Sequence, residues 1–370
     1  MKILLIPNIS DMDSYAMIHL AQRLANTFHA RNYKVAAVAN QDCYLTHVKI
    51  YDTPLPNKGF SLFKRMIDKG KTYEELLFAQ GMLDTTFIEN TLDAIDDAIN
   101  HFKPDLIFDL GNPLAIVSGR LHNIPVYSYG HVGMFRKRSF PLECLTQFND
   151  ALKERHLEQV LYIHDLFKYA KRIFIFGPSL IQPFDDHTGS IIRLGSMIVP
   201  PRPDVQDHLC IFLNEMNLKP RKVNDILEET FLGAPIKVDI YYPNCKAQTK
   251  NNLTFHNRML VDRVANSKLC FHDGSEFLFN LCLSLGIPQV IINDSSCLVS
   301  WNAHAVKRYM LGDTFHTKDF SVASIYETYR RIVVDTNYYA RANVFKEGIA
   351  SLGGLDQIIT YMVEDIKPVA

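Results

Sequence analysis

The stretch Ser267-Lys-Leu-Cys-Phe-His-Asp-Gly-Ser-Glu-Phe-Leu-Phe-Asn-Leu-Cys-Leu-Ser-Leu-Gly-Ile-Pro-Gln-Val-Ile-Ile292 reads as strand, turn, helix, turn and strand. Its first strand ends at His272, where Asp273-Gly274 supplies a tight turn, and the helix opens at Ser275 and Glu276 and stays apolar to Leu285. Gly286-Ile-Pro288 stops that helix, because proline cannot continue it and glycine tolerates the left-handed closing residue. Strands this apolar are buried on both faces, and a helix between two of them makes the crossover of a parallel sheet. The fold class is therefore α/β. The same stretch offers chemistry. Gly274 permits a tight turn, and the start of the next helix presents backbone N–H groups and the positive end of the helix dipole, an arrangement suited to a diphosphate. His272 stands where it could donate to a phosphate oxygen. The plainer reading is that Asp273 or Ser275 caps a structural helix.

The alternation of short apolar runs with longer helical patterns extends both ways along the chain. Before residue 195, strands are expected at Lys2 to Ile6, Lys34 to Val38, Leu106 to Asp109, Pro125 to Ser128 and Arg172 to Phe176, with helices at Tyr15 to Ala30, Thr72 to Phe78, Phe87 to His101 and Pro113 to Arg120. After it, strands at Leu209 to Leu213, Ile236 to Tyr241, Leu269 to Phe271 and Gln289 to Ile292 alternate with helices at Val223 to Phe231, Ser275 to Leu285, Asn302 to Met310 and Ser321 to Val334. Between the two series lies Gly195-Ser-Met-Ile-Val-Pro-Pro-Arg-Pro-Asp204, whose prolines favour an extended linker. Two doubly wound, Rossmann-like domains are expected, 1–198 and 199–370, with the site in a cleft where the carboxyl ends of their strands face each other.

A chain of 370 residues, 47% apolar and 21% charged, is large enough for two cores. Its 39 Lys and Arg balance 40 Asp and Glu, so no global field draws it to nucleic acid. The seven cysteines are scattered and never form a CxxC pair, which argues against a disulfide framework or a zinc knuckle and for a reducing, cytoplasmic setting. Met1-Lys-Ile-Leu-Leu-Ile-Pro-Asn8 turns polar too soon for a signal-peptide core, and no apolar run approaches the roughly 20 residues of a membrane span. There is no Walker loop, no GxGxxG after the first strand, no HExxH and no GxSxG.

His272, Gly274, Gly286-Ile-Pro288 and Asn302-Ala303 stand in an order that resembles the UDP-glycosyltransferase family, in particular its bacterial macrolide and natural-product members. The likeness extends to Pro104-Asp-Leu-Ile-Phe-Asp109, to Gly119-Arg-Leu-His-Asn-Ile-Pro-Val126 and to Ile192-Arg-Leu-Gly-Ser196, and so covers nearly the whole chain. It implies a GT-B fold, a nucleotide-sugar donor such as a UDP- or dTDP-sugar in the C-terminal domain, inverting transfer, and no obligatory metal or other cofactor. His272, Gly274, Ser275, Glu276 and Asn302 would then form the donor site. Arg258 and His256 lie where the family's loop meets the nucleobase, and Asn214 and Glu215 stand where its strand end is glycine-rich.

Three departures accompany the resemblance. The family's first loop carries a histidine that deprotonates the acceptor hydroxyl; here the loop reads Asn8-Ile-Ser-Asp-Met-Asp-Ser-Tyr15, which puts Asp13 in that place. Asp13 is the first candidate base, followed by Asp11 and by His131, which follows a strand end. The family's Asp-Gln pair, which holds donor hydroxyls, is replaced by Leu298-Val299, with Asp294, Ser295 and Ser296 nearby, and the first glycine after the phosphate-site histidine is Asp273. Finally, Lys58-Gly-Phe-Ser-Leu-Phe-Lys-Arg-Met-Ile-Asp-Lys-Gly-Lys71 mixes basic and apolar residues, as a core-facing surface helix does and as a weak membrane-surface contact would. The reading is a glycosyltransferase acting on a small or lipid-linked acceptor. The alternative, motivated by the joint loss of the family's His and Asp-Gln, is a catalytically silent GT-B homologue that serves as partner or stabilising subunit of an active transferase, which leaves a protein partner or a second copy open.

Overall fold

A computed structural model of the protein describes residues 1–9, 15–43, 45–57, 70–184, 190–196, 207–213, 218–243, 245–258 and 260–366. It divides into two compact units, residues 1–194 with 355–370, and residues 195–354. The expected boundary at 198/199 thus falls at 194/195, and the last segment, expected in the C-terminal domain, belongs to the first unit.

The first unit carries strands β1 (Lys2–Pro7), β2 (Lys34–Ala39), β3 (Lys49–Asp52), β4 (Leu106–Leu110), β5 (Val126–Gly130), β6 (Arg172–Phe176) and β7 (Ile191–Leu194). They form one sheet in the order β3-β2-β1-β4-β5-β6-β7. Every pairing between these strands is parallel. Its helices are α1 (Tyr15–His29), α2 (Tyr73–Ala79), α3 (Thr85–Phe102), α4 (Leu114–His122) and α5 (Thr146–Glu154). The middle strands β4 and β5 are buried throughout, as continuous apolar sequence in a sheet covered on both faces requires. Phe108 of β4 and Phe174 of β6 stack at 5.8 Å in the core.

The second unit holds β8 (His208–Phe212), α6 (Pro220–Phe231), β9 (Lys237–Tyr241), β10 (Gln248–Lys250), β11 (Leu253–His256), α7 (Val261–Ala265), β12 (Ser267–His272), α8 (Glu276–Leu285), β13 (Gln289–Asn293), α9 (Cys297–Arg308), β14 (Gly312–His316), α10 (Val322–Val334) and α11 (Thr336–Ala350). Its sheet runs β10-β11-β9-β8-β12-β13-β14. All its pairings are parallel except the short β10–β11 hairpin at the edge.

After the second unit the chain returns as α12 (Asp356–Ile366). It buries Ile358, Ile359 and Met362, and Asp365 ties it to the first unit. Its carboxylate takes two bonds from Arg172, Nε at 3.0 Å and Nη2 at 2.8 Å, and a third from the Tyr127 hydroxyl at 3.3 Å. Lys171 Nζ donates to the Asp365 carbonyl at 2.7 Å. A two-pronged guanidinium–carboxylate pair of this kind fixes orientation as well as position, and Arg172 holds Asp365 below the usual carboxylate range.

Candidate functional site

In an open α/β sheet, ligands collect outside the carboxyl ends of the strands where the strand order reverses. That point lies between β1 and β4 in the first unit and between β8 and β12 in the second. The loop after β1 contains Ser10 to Ser14 and the loop after β8 contains Asn214, so Asp11, Asp13 and Asn214 lie outside the described residues. The turns after β4 and β12 are described in full.

β4 ends at Asp109 and Leu110 and passes through Gly111-Asn112-Pro113 into α4. Asp109 is fully buried, and its Oδ1 accepts the Asn112 N–H at 2.8 Å, while Asn112 Oδ1 accepts the Leu114 N–H at 3.2 Å. The Tyr73 hydroxyl donates to the Gly111 carbonyl at 3.0 Å. The second oxygen of Asp109 stands apart from this network: Ser128 lies opposite in register, yet neither Asp109 Oδ2 nor the Ser128 hydroxyl closes a hydrogen bond. Burial pushes the Asp109 carboxyl up to about 7, against the pull of the Ser128 hydroxyl and of the Asn112 and Gly111 amides. Asp109 was quoted for the family likeness of its segment, but its burial and its unpartnered oxygen show only in the structure.

His131 follows β5. Expected as a loop base, it is fully buried, and its Nδ1 accepts the Gly133 N–H at 3.0 Å, capping the short 3-10 turn Val132–Phe135. A nitrogen that accepts a backbone proton is committed to the turn, so His131 is a cap here, not an exposed acceptor-side base.

The second unit brings His272, Gly274, Ser275, Glu276 and Asn302 together, as the sequence suggests, but in a closed knot. His272 is fully buried; its Nδ1 accepts the Gly274 N–H at 3.0 Å and its Nε2 pairs with Gln289 Oε1 at 2.8 Å. Nδ1 as acceptor leaves the proton on Nε2, and burial lowers the pKa of the ring, so His272 is neutral and both its nitrogens are committed. The Nε2–H expected to reach a phosphate is donated to Gln289 Oε1 instead. Asp273 Oδ1 accepts the Ser275 N–H at 2.9 Å. Glu276 accepts Asn280 Nδ2 at 2.7 Å on one oxygen and Asn302 Nδ2 at 3.2 Å on the other, and Asn302 Nδ2 also reaches the Gly274 carbonyl at 3.1 Å. Asn302 therefore ties the start of α9's partner turn to α8 and does not face a ligand with its amide donors. Gly274 has φ +79°, and a Cβ there would come within 2.7 Å of both Ile291 and Val299. Packing alone demands glycine here. Val299, expected to replace a sugar-binding residue, is the buried wall against which Gly274 packs. Ser275, half-buried at the first position before α8, makes no cap bond with its side chain.

The polar residues expected to substitute at the sugar site form the turn between β13 and α9. Asn293 accepts the Ser295 N–H at 2.6 Å, Asp294 the Ser296 N–H at 2.9 Å, and Ser296 caps α9. His316, at the end of β14, repeats the histidine arrangement: Nδ1 accepts the Lys318 N–H at 3.1 Å and Nε2 pairs with the Ser295 hydroxyl at 2.9 Å. Three strand-end histidines thus share one job, closing the following turn.

Arg258, beyond β11, is exposed. His256 is anchored: its Nε2 pairs with Asp239 Oδ1 at 2.6 Å, while His208 Nδ1 pairs with Asp239 Oδ2 at 2.5 Å and Arg263 Nε lies 3.9 Å away. This buried aspartate between two histidines draws together β8, β9, β11 and α7. Sequence periodicity gives no sign of it, because the three strands meet only in the sheet.

No protein-family model matches the sequence, and comparison with curated proteins finds no relative. Solved structures do match over the whole chain. The glycotransferase of kitacinnamycin shares 13% identity at a TM-score of 0.76, covering 99% of this chain and 98% of that one. CalG4, the calicheamicin glycosyltransferase, shares 16% identity at a TM-score of 0.68, covering 99% of both chains. SsfS6 from Streptomyces sp. SF2575, solved with thymidine diphosphate, shares 15% identity at a TM-score of 0.70, covering 98% of this chain and 99% of that one. At such identities the likeness establishes the fold: the chain has the GT-B architecture of natural-product glycosyltransferases. Among the described residues, no helix is long and apolar enough to cross a membrane.

Proposed function

We propose that the protein transfers a sugar from a nucleoside diphosphate to an acceptor hydroxyl. The observation that carries this reading is Asp109 Oδ2, a fully buried carboxyl oxygen without a hydrogen-bond partner where β1 and β4 diverge. Leaving such a group unsatisfied costs about 1–3 kcal/mol, and a carboxyl with a pKa of about 7 is matched to taking a proton near neutrality. In the proposed step the acceptor oxygen attacks the anomeric carbon and the sugar–phosphate C–O bond breaks. The diphosphate leaves with the electron pair, and because Asp109 is fully buried the acceptor proton reaches it by relay, Asp13 of the first loop being the candidate go-between. One displacement inverts the anomeric carbon and assigns no part to a metal. The Ser275 hydroxyl and the first turn of α8 are the donor-side groups of this reading, since His272 and Asn302 are committed elsewhere. The thymidine diphosphate held by SsfS6 makes dTDP-sugars the first donors to test, with UDP-sugars second.

One observation favours the second reading, a silent GT-B subunit: both nitrogens of His272 are taken up by the protein itself, and the same knot carries the carboxylates of Asp273 and Glu276, which repel a diphosphate. Calorimetric titration with dTDP, UDP and UMP separates the two. The transferase reading expects dTDP or UDP to bind, and donor turnover to fall about 100-fold in Asp109→Asn with nucleotide affinity unchanged. Heat from none of the three nucleotides supports the silent subunit, and unchanged turnover in Asp109→Asn removes the proton-acceptor assignment.

A further inference from the structure

Asp109 and Ser128 stand opposite each other on the neighbouring strands β4 and β5. Neighbouring strands lie about 4.8 Å apart, and residues in parallel register point to the same face, so the two side chains rise side by side. The row they belong to is otherwise apolar. On the other side of Asp109, β1 contributes Ile6, and on the other side of Ser128, β6 contributes Ile173. Two residues earlier, on the same face, Ile107 and Val126 are again in register. α4 closes over this face at Gly119, where a Cβ would collide with Val126. Asp109 and Ser128 are both 0% exposed, so water does not compete for their polar atoms.

Within this sealed row each side chain has one polar atom without a partner, Asp109 Oδ2 and Ser128 Oγ. The other carboxyl oxygen holds the Asn112 N–H at 2.8 Å, and the Tyr73 hydroxyl is taken up by the Gly111 carbonyl at 3.0 Å. Of the two side chains that flank Asp109 across the sheet, Ile6 and Ser128, only Ser128 can form a hydrogen bond. A serine hydroxyl turns about its Cβ–Oγ bond and serves as donor or acceptor. Orphaned buried polar atoms are costly, and two of them a rotation apart relieve one another. The relief is greatest when the carboxyl is ionised, because a hydrogen bond to a charged acceptor is roughly twice as strong as one between neutral groups. The acidity of Asp109 points the same way: burial pushes it up, and the Ser128 hydroxyl pulls it down, ahead of the Asn112 and Gly111 amides. Among the described residues no charged side chain joins them.

We propose that Ser128 is a positioning residue for Asp109: when the carboxyl is ionised, the Ser128 hydroxyl turns and donates to Oδ2, holding that oxygen in place and ready for a proton. Its importance for sugar transfer rests on the reading of Asp109 as the proton acceptor. No proton passes between the two side chains. The O–H bond of Ser128 stays intact, and the proton that Asp109 gains arrives from the acceptor hydroxyl by the relay. Once Oδ2 is protonated the serine donor is no longer needed there, and the hydroxyl is free to accept from the new O–H.

The test is a pH titration of the full chain, labelled with carbon-13 in its aspartate carboxyls and followed by NMR, with the Asp109 signal identified by its absence in Asp109→Asn. In the wild type the midpoint is expected at about pH 7. In Ser128→Ala it is expected to rise by about one pH unit, or roughly tenfold in proton affinity, because the ionised form alone loses a donor. Ser128→Cys is similar in size with a weaker donor, so its midpoint should fall between the two, and it carries the test by itself if the alanine variant does not fold. Donor turnover against pH reads the same change in function. Turnover rises as Asp109 ionises, so its acidic limb should move up by the same amount in Ser128→Ala, whereas a merely structural loss would lower turnover at every pH. An Asp109 midpoint that stays put or falls in the variants overturns the proposal. A midpoint that rises while the turnover limb stays where it was supports the pairing and removes Asp109 from sugar transfer, so the two readings fail separately.

Discussion

β4 and β12 occupy the same place in their sheets, each beside the first strand of its unit, and each ends in a buried polar residue that caps its own following turn. Asp109 accepts a backbone N–H from Asn112, and His272 accepts one from Gly274. The difference lies in the second atom. His272 pairs its remaining nitrogen with Gln289, whereas Asp109 keeps an oxygen with no partner. A capping side chain with both polar atoms satisfied is stable and chemically idle, and one with an atom left over is less stable and able to act. Under the proposed function, chemistry belongs to the first unit's turn, while the second unit's turn holds its helix in place.

The strongest way to break that contrast is to add a methyl group to each turn. Gly274 and Gly111 both have positive φ, +79° and +87°. At 274 a Cβ meets Ile291 and Val299 at 2.7 Å, both branched and walled in; at 111 the nearest atoms are Asn8 Cβ at 3.6 Å and Met134 Cε at 3.9 Å, ordinary contact distances. Gly274→Ala is expected to destabilise the fold by on the order of 4 kcal/mol, combining backbone strain with overpacking. Gly111→Ala should lose only the strain, about 1 kcal/mol. Urea unfolding of both variants reads this directly, and similar losses would mean that the two turns are equally packed and the contrast is false.

Acidity sharpens the same comparison. Asp109 ionises near 3.8 when unfolded and at about 7 when folded, so between these values the folded state holds a proton that the unfolded state has released. Its contribution to stability is complete below pH 3.8 and is lost as pH rises through 7. Three pKa units correspond to at most about 4 kcal/mol. The measurable quantity is the difference between wild type and Asp109→Asn, which should change by about 3 kcal/mol between pH 4 and pH 8, the variant gaining on the wild type as pH rises. The same pH series on His272→Asn should lack this slope in that direction, because burial lowers the histidine's pKa: its neutral form is favoured as pH rises. A flat difference for Asp109→Asn would place its second oxygen in contact with water or a partner.

How far the sequence foretold this follows from where each signal lives. The central strands β1, β4, β8, β12 and β13 are buried apolar runs, and the sequence places them to within a residue or two. The edge strands β3, β7, β10 and β14 pair on one side only and remain partly exposed, so their sequences are short and mixed, Gln248–Lys250 having no apolar residue at all. α12 is amphipathic in sequence, but which unit its apolar face joins, and that Asp365 meets Arg172 across 193 residues, show only in the fold. At the site, the sequence groups residues around His272 that the structure also brings together, but it does not distinguish their roles, because a histidine two residues before a glycine looks the same whether its Nδ1 caps a turn or its Nε2 meets a phosphate. Only the partner Gln289, on the neighbouring strand, distinguishes the two. Asp109 went unmarked for the opposite reason: a missing partner leaves no trace in sequence.

The smallest effect tests the second turn alone. Glu276 opens α8, is 6% exposed, and gives one oxygen to Asn280 and the other to Asn302. Its charge sits where the helix dipole would otherwise favour an anion. Glu276→Gln keeps the shape and removes the charge. The new amide would face a donor on one side, but Asn280 can turn its own amide over to meet it, since Asn280 Oδ1 is buried without a partner; the stability cost should therefore stay below about 1 kcal/mol. If the first turn of α8 receives the diphosphate, loss of a nearby like charge should raise affinity for dTDP about fivefold at low salt, roughly 1 kcal/mol, and by less at high salt, where the repulsion is screened. Titration calorimetry at two salt concentrations measures both. An unchanged affinity would mean that the nucleotide binds away from this turn, and the second unit's knot would then be scaffold and nothing more.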